Sequence, residues 1–311
     1  MSIKLPTLLA TSVVRGSRQG ESHGGIYLID FENQAGKQLV DWDTSQINFD
    51  GRGADRGLRG IAFDGEDIFV AASDELFCYD RQFAIQRSFR NRYLRHCHEI
   101  CRKDRHIFLT STGFDSLLAF NLDTNKYEWG FQLQRIYGEW TGHTFDPRSV
   151  AGPAAVNDFH INMVFVDDTG IYLSGLKTNA MLHLDRHWQV SEVCELPPGI
   201  HNARPWNNGV LFNDTASDCI RYVGRNGSEK AFSIVTYEES QIQFLGIDDS
   251  LIARQAFGRG LTVYDDRFVI GGSSPSTVSI YDLETNQVGA SVNLTMDIRN
   301  AIHGLEVWPF K

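Results

Sequence analysis

The stretch "IHGLEVWPF", residues 302–310, decides the fold. Its β-branched and aromatic residues are those that strands favour, so it reads as one β-strand. Elsewhere in the chain a run of this kind is followed by two more. Here nothing follows. The missing companions stand at the other end, where "TLLATSV" (7–13) and "GIYLIDFENQ" (25–34) look like a second and a third strand with no first strand before them. The C-terminal run therefore supplies the strand that the N-terminal pair lacks.

The same triplet of runs recurs along the chain. Third strands ending in polar turns are read at "ELFCYDRQ" (75–82), "LLAFNLDTNK" (117–126), "MLHLDRHW" (181–188), "CIRYVGRNG" (219–227) and "VSIYDLETNQ" (278–287). Second strands precede them at "DIFVAAS", "HIFLTSTG", "GIYLSGL", "GVLFNDT" and "RFVIGGS". Helical periodicity is nearly absent, and fixed-period self-similarity of short strands marks a repeat architecture. Six units of four strands with no linker imply an all-β chain forming a single domain over residues 1–311. This pattern resembles the six-bladed β-propeller superfamily over essentially the whole chain. The resemblance implies closure by the C-terminal strand joining the N-terminal blade, which removes the open sheet edges that invite aggregation. It implies an architecture and no activity, because one fold carries many functions.

Composition narrows the partners. The 311 residues are 42% hydrophobic and 22% charged with a net charge of −10, and no run of Lys or Arg interrupts that balance. Nucleic acid and anionic membrane surfaces both call for a concentrated basic patch, so neither is expected as a partner. No apolar run approaches the roughly 18 residues of a membrane span. The N-terminus reads as mature protein rather than a signal peptide. Five irregularly spaced cysteines make no disulfide framework, which points to a reducing cytoplasm.

The six first strands place a histidine or an arginine at one position. They read "LRGIAF" (58–63), "CHEICR" (97–102), "FHINMV" (159–164), "IHNARP" (200–205), "GRGLTV" (258–263) and "IHGLEV" (302–307). The second residue of each is Arg59, His98, His160, His201, Arg259 and His303. First strands of a propeller line its axis, so these six positions are expected to converge there. A single histidine there would read as a packed structural residue. Four His and two Arg are costly to bury unless paired or ligated, which points to a site. His98, His160 and His201 come from three successive blades and form a candidate facial ligand set for a divalent metal, with Fe, Zn or Mn as the choices. Arg59 and Arg259 offer forks for a carboxylate or phosphate. His303, flanked by both, is expected to be kept neutral as an acid–base group or a fourth metal ligand. Glu99, Asn162, Asn202 and Glu306 follow the axial positions and are candidates to orient the imidazoles. The tract "RHCHEIC" resembles a Cys/His metal site, but strand alternation turns Cys97 away from His98, so Cys97 and Cys101 read as packing residues. The stretch "GRGADRG" (51–57) lacks the spacing and helix of a dinucleotide fingerprint.

Two insertions, 134–157 and 238–257, lead into first strands and are expected at the mouth of the channel, as lids or as an oligomer contact. Trp140, His143 and Arg148 are the substrate contacts expected from the first. The function this reading implies is a metal-dependent enzyme acting on a small anionic substrate by lyase- or isomerase-type proton transfer. The alternatives are a four-histidine non-haem iron oxygenase and a non-catalytic anion-binding or interaction propeller.

Overall fold

The computed structural model describes residues 4–18, 20–43, 57–247 and 253–310. Residues 51–56 of the glycine-rich stretch and 248–252 of the second insertion lie outside the described residues. The structure is all-β, and its strands form six small antiparallel sheets, the blades of a six-bladed propeller. The first holds β1 (Thr7–Val14), β2 (Gly25–Asp30) and β3 (Ala35–Asp41). The second runs β4 (Ile61–Asp64), β5 (Asp67–Ala72), β6 (Glu75–Tyr79), β7 (Ile85–Arg90). The third runs β8 (Ile100–Lys103), β9 (His106–Ser111), β10 (Ser116–Asn121), β11 (Lys126–Ile136), β12 (Glu139–Phe145). The fourth comprises β13 (Ile161–Val166), β14 (Ile171–Gly175), β15 (Ala180–Leu184) and β16 (Val190–Glu195). The fifth comprises β17 (His201–Trp206), β18 (Gly209–Asp214), β19 (Cys219–Gly224) and β20 (Glu229–Ser233). The sixth comprises β21 (Gly260–Tyr264), β22 (Phe268–Ser273), β23 (Thr277–Asp282) and β24 (Gln287–Asn293).

The last strand, β25 (Asn300–Val307), pairs with β1 and completes the first sheet in the order β25-β1-β2-β3. Leu8 stands opposite Val307 and Val14 opposite Asn300, with a bulge between Ala10 and Ser12. The stretch that decided the sequence reading thus takes the place assigned to it.

Burial explains why the inner strands read as unbroken apolar runs. Strands β1, β5, β6, β22 and β23 are buried almost throughout, whereas β3, β7 and β16 are largely exposed. A strand covered on both faces keeps apolar residues at every position, and only the outermost strand returns to polar faces. Polar turns end two of the third strands by one device. Asp80 Oδ1 accepts from Gln82 N and Ala84 N, and Asp185 Oδ1 accepts from His187 N and Gln189 N.

The chain forms two compact units, Met1–Arg59 with Ser217–Lys311, and Gly60–Ala216. In the first, Leu8, Ala10 and Ile29 share a core with Phe268, Ile280 and Leu305. In the second, Phe69, Leu76 and Cys78 pack against Leu109, Leu118 and Phe120. Phe120 is fully buried, its ring centroid 4.6 Å from that of Phe89 and 6.4 Å from that of Phe69. Side chains this deeply buried contribute about 1.5–3 kcal/mol each by leaving water.

The first insertion differs from the expectation of a loop beside the first strands. Its residues Glu139–Phe145 form β12, a fifth strand paired with β11, at the edge farthest from β8. The reason is an unusually long β11, whose 11 residues offer backbone groups that the returning chain can pair with.

Candidate functional site

The six first-strand positions do not share one register against their strands. Arg59, His98, His160 and Arg259 precede their strands, while His201 opens β17 and His303 lies within β25. Each unit holds three of them.

In the unit Gly60–Ala216 the structure brings two histidines side by side. The rings of His98 and His160 lie 5.2 Å apart, centroid to centroid, inclined by 62°. Both are half-buried. His98 Nδ1 lies 2.9 Å from the His96 carbonyl and 2.9 Å from Thr112 Oγ1. A carbonyl only accepts, so this Nδ1 carries the proton and Nε2 is the basic nitrogen. Its backbone is held as well: His98 N donates to Thr110 Oγ1 at 2.9 Å, and Gly60 N donates to His98 O at 3.2 Å.

His160 sits in the left-handed region at φ 54, and Asp115 holds it there. The Asp115 carboxylate, fully buried, accepts from the backbone N–H of Asp158 (2.6 Å), Phe159 (3.1 Å) and His160 (3.0 Å). Burial pushes its pKa above the usual carboxylate range, although the N–H donors pull the other way. The hydroxyl of Thr112 donates to Ile161 O at 2.5 Å, tying the His98 side to the residue after His160.

His201 is buried at 3% exposure, and the residues after the histidines meet each other. Asn202, at φ 55, donates through Nδ2 to Glu99 Oε2 at 3.0 Å, across 103 residues of chain. Glu99 Oε1 accepts from Ile100 N at 3.0 Å and lies against Gly60, where a Cβ would come within 2.7 Å of it. Glycine at 60 is therefore what lets the carboxylate lie there. Asn162 donates to Ile200 O at 3.2 Å, while its buried Oδ1 has no hydrogen-bond partner among the described residues.

Two imidazoles at this spacing suit a shared cation, and His98 has the oxygen-bonded Nδ1 that metal-ligating histidines show. Among the described residues no group of three or more His, Cys, Asp or Glu is gathered in a metal-holding arrangement. Cys97 is fully buried in the apolar core and Cys101 is half-buried, in keeping with packing roles.

The other unit carries the cationic positions. Arg59 and Arg259 are 4% and 8% exposed, and His303 is 6% exposed. One hydroxyl connects two of the three chain segments: Thr11 Oγ1 donates to Arg59 O at 2.5 Å and accepts from Gly304 N at 2.9 Å. Arg259 N donates to Gly272 O, and its guanidinium lies 4.4 Å from the centre of the Phe257 ring. Arg254 and Arg15 approach the same ring at 5.1 and 6.0 Å. Glu306 stands opposite Leu9, half-buried.

The contacts expected from the first insertion are dispersed. Trp140 and His143 belong to the outer strand β12, opposite Arg135 and Gln132. Trp140 packs on Phe159 and under the Arg135 guanidinium, 4.8 Å away. Arg148 lies beyond β12 and forks onto Asp146 through Nε (2.8 Å) and Nη2 (3.1 Å). None of the three joins the histidines of this unit as an observed contact.

Asp115, Thr112, Thr11 and Gly60 were not anticipated. The one signal was a threonine late in two second strands, in "LLATS" and "FLTST".

Comparison with known proteins bears on the fold alone. No family model and no curated protein sequence matches the chain. Among solved structures, a chain in the crystal structure of a nidogen/laminin complex is similar over 97% of both chains, with a TM-score of 0.58 and 11% identity. A protein of unknown function from Bacteroides caccae is similar over 97% of this chain and 98% of its own, with a TM-score of 0.57 and 10% identity. No helix among the described residues is long and apolar enough to cross a membrane.

Proposed function

We propose that the protein is a metal-dependent enzyme acting on a small anionic substrate, with His98 and His160 as the first two ligands of a divalent cation and His201 as the third. The observation that carries this reading is the His98–His160 ring pair at 5.2 Å. The carbonyl of His96 sets the tautomer of His98 and makes its Nε2 a better donor. Asp115 fixes the backbone from which His160 projects. A cation bound there would act as a Lewis acid on a carbonyl or carboxylate. Elemental analysis of protein purified without chelator and then supplied with Fe, Zn or Mn tests the reading. One metal per chain is expected, lost in His98→Ala, His160→Ala and His201→Ala with the melting transition unchanged. Full occupancy in all three variants, or no metal in the wild type, overturns it.

A second reading, a propeller that holds an anion without catalysis, is favoured by the unit that carries the arginines. Arg59 and Arg259 are buried there, and Phe257 gathers the guanidiniums of Arg15, Arg254 and Arg259. Guanidiniums gathered around one ring concentrate positive charge of the kind that oxyanions seek. Saturable carboxylate or phosphate binding by metal-free protein, lost in Arg259→Ala, would mark this reading.

A further inference from the structure

The unit Gly60–Ala216 has a cleft of about 330 Å³ away from its histidines. Ser88, Phe89, Arg90 and Asn91 line one side, at the end of β7. Asn125, Lys126 and Tyr127 at the start of β11, with Arg148, line the other. We propose that this cleft binds a small molecule bearing a carboxylate or phosphate group, held by Arg90, Lys126 and Arg148. The inference stands apart from the metal reading and uses none of its proposed ligands.

Three observations carry it. The first is size, since small-molecule sites begin at roughly 300 Å³. The second is charge and donor geometry. Glu75 Oε2 accepts from Arg90 Nε at 2.9 Å, and Asp146 takes Nε and Nη2 of Arg148. These acids orient the two guanidiniums and occupy only part of each: both terminal nitrogens of Arg90 and Nη1 of Arg148 stand outside those bonds. Lys126 has no ion-pair partner among the described residues. Three cations with donors to spare, beside the amides of Asn91 and Asn125, match the several acceptor oxygens of one oxyanion.

The third observation is rigidity. The floor is fixed by Tyr127, which donates through its hydroxyl to Phe89 O at 3.2 Å and packs 5.2 Å from Phe120, centroid to centroid. The segment that carries Arg148 is pinned on both sides of that residue. Asn91 Nδ2 donates to Pro147 O at 3.1 Å, and Tyr93 Oη donates to Ser149 O at 3.0 Å. Arg87 Nη1 donates to Asn125 Oδ1 at 3.4 Å and holds the opposite wall. Walls fixed before a ligand arrives reduce the ordering cost of binding.

Amide NMR titration of the full chain with inorganic phosphate, and separately with citrate, tests the proposal. Saturable shifts are expected at 88–91, 125–127 and 148 with at least one probe, weakening as ionic strength rises. Lys126→Gln and Arg90→Gln should each weaken that binding roughly tenfold, the worth of one charge-assisted hydrogen bond. Lys126 is exposed, so Lys126→Gln should fold as the wild type does and report binding alone. A stronger response to phosphate than to citrate would assign a phosphate ligand, and the reverse a carboxylate. Shifts confined to other residues, affinities unchanged in both variants, or no saturable response to either probe overturns the proposal.

Discussion

Asp115→Ala should cost about 2–3 kcal/mol of folding stability at pH 7, with most of the loss felt at His160. The figure follows from the three N–H groups that the carboxylate accepts. Bonds to a charged acceptor are worth about 1.5–3 kcal/mol each, but they do not add simply. Asp158 is exposed, so its N–H regains water when the carboxylate goes. Phe159 and His160 are half-buried and recover less. Removing a buried charge also relieves its desolvation, which lowers the net loss. The pH dependence gives a second check. The folded pKa of Asp115 is raised, mainly by burial, so the native state takes up its proton at a higher pH than the unfolded chain does. Native stability relative to Asp115→Asn should therefore rise as pH falls from 7 toward about 4, and decline again as pH is raised through the folded pKa. Urea denaturation of wild type, Asp115→Ala and Asp115→Asn at several pH values measures both effects. An Asp115→Ala protein within about 0.5 kcal/mol of wild type at pH 7, or a difference curve sloping the other way, would refute the cradle argument.

Ending the chain before Ile302 should abolish cooperative unfolding, because β1 then loses the pairs from Leu8↔Val307 to Ser12↔Ile302; an unchanged calorimetric transition would defeat the closure reading. Phe120→Ala should cost about 3–5 kcal/mol in chemical denaturation, as large aromatic truncations in packed cores do, and a loss below about 1 kcal/mol would mean that the aromatic cluster is not a packed core. Arg267 forks onto Asp282 through Nε (2.8 Å) and Nη2 (2.5 Å) and holds its carboxyl well below the usual range. That contribution is complete above about pH 5 and is lost as pH falls below about 4, so Asp282→Asn should flatten the acid limb of the stability curve; an identical acid limb would contradict it.

The blades were legible because each strand carries its own signal. Unbroken apolar runs such as "DIFVAAS" and polar turns such as "DRQ" and "DRHW" recur at the same phase, and the structure uses them at the same places. The strand β12 was not legible. Its sequence, "EWTGHTF", has four polar residues and a glycine among seven, because an edge strand needs no continuous apolar face. The place of the histidines near inner strands was legible, although His98 lies two residues before β8 and His303 lies within β25. Their supports were not, since the partners lie far away in sequence: Asp115 precedes His160 by 45 residues, and Asn202 follows Glu99 by 103. An aspartate that holds the loop leading into the next blade looks in sequence like any turn aspartate.

The pairing of β25 with β1 has a consequence for how the chain is made. Thr11 is translated 293 residues before Gly304, the residue whose N–H it accepts. At roughly 5–20 residues per second on a ribosome, that interval lasts about 15–60 s. During it β1, one of the most deeply buried strands of the folded protein, has β2 on one side and an open row of backbone donors and acceptors on the other. Through that interval the nascent chain carries a sticky margin exposed to neighbouring polysomes. Chaperone demand should accordingly track elongation rate: slowing the ribosome late in the message should increase aggregation, and releasing the final strand quickly should suppress it.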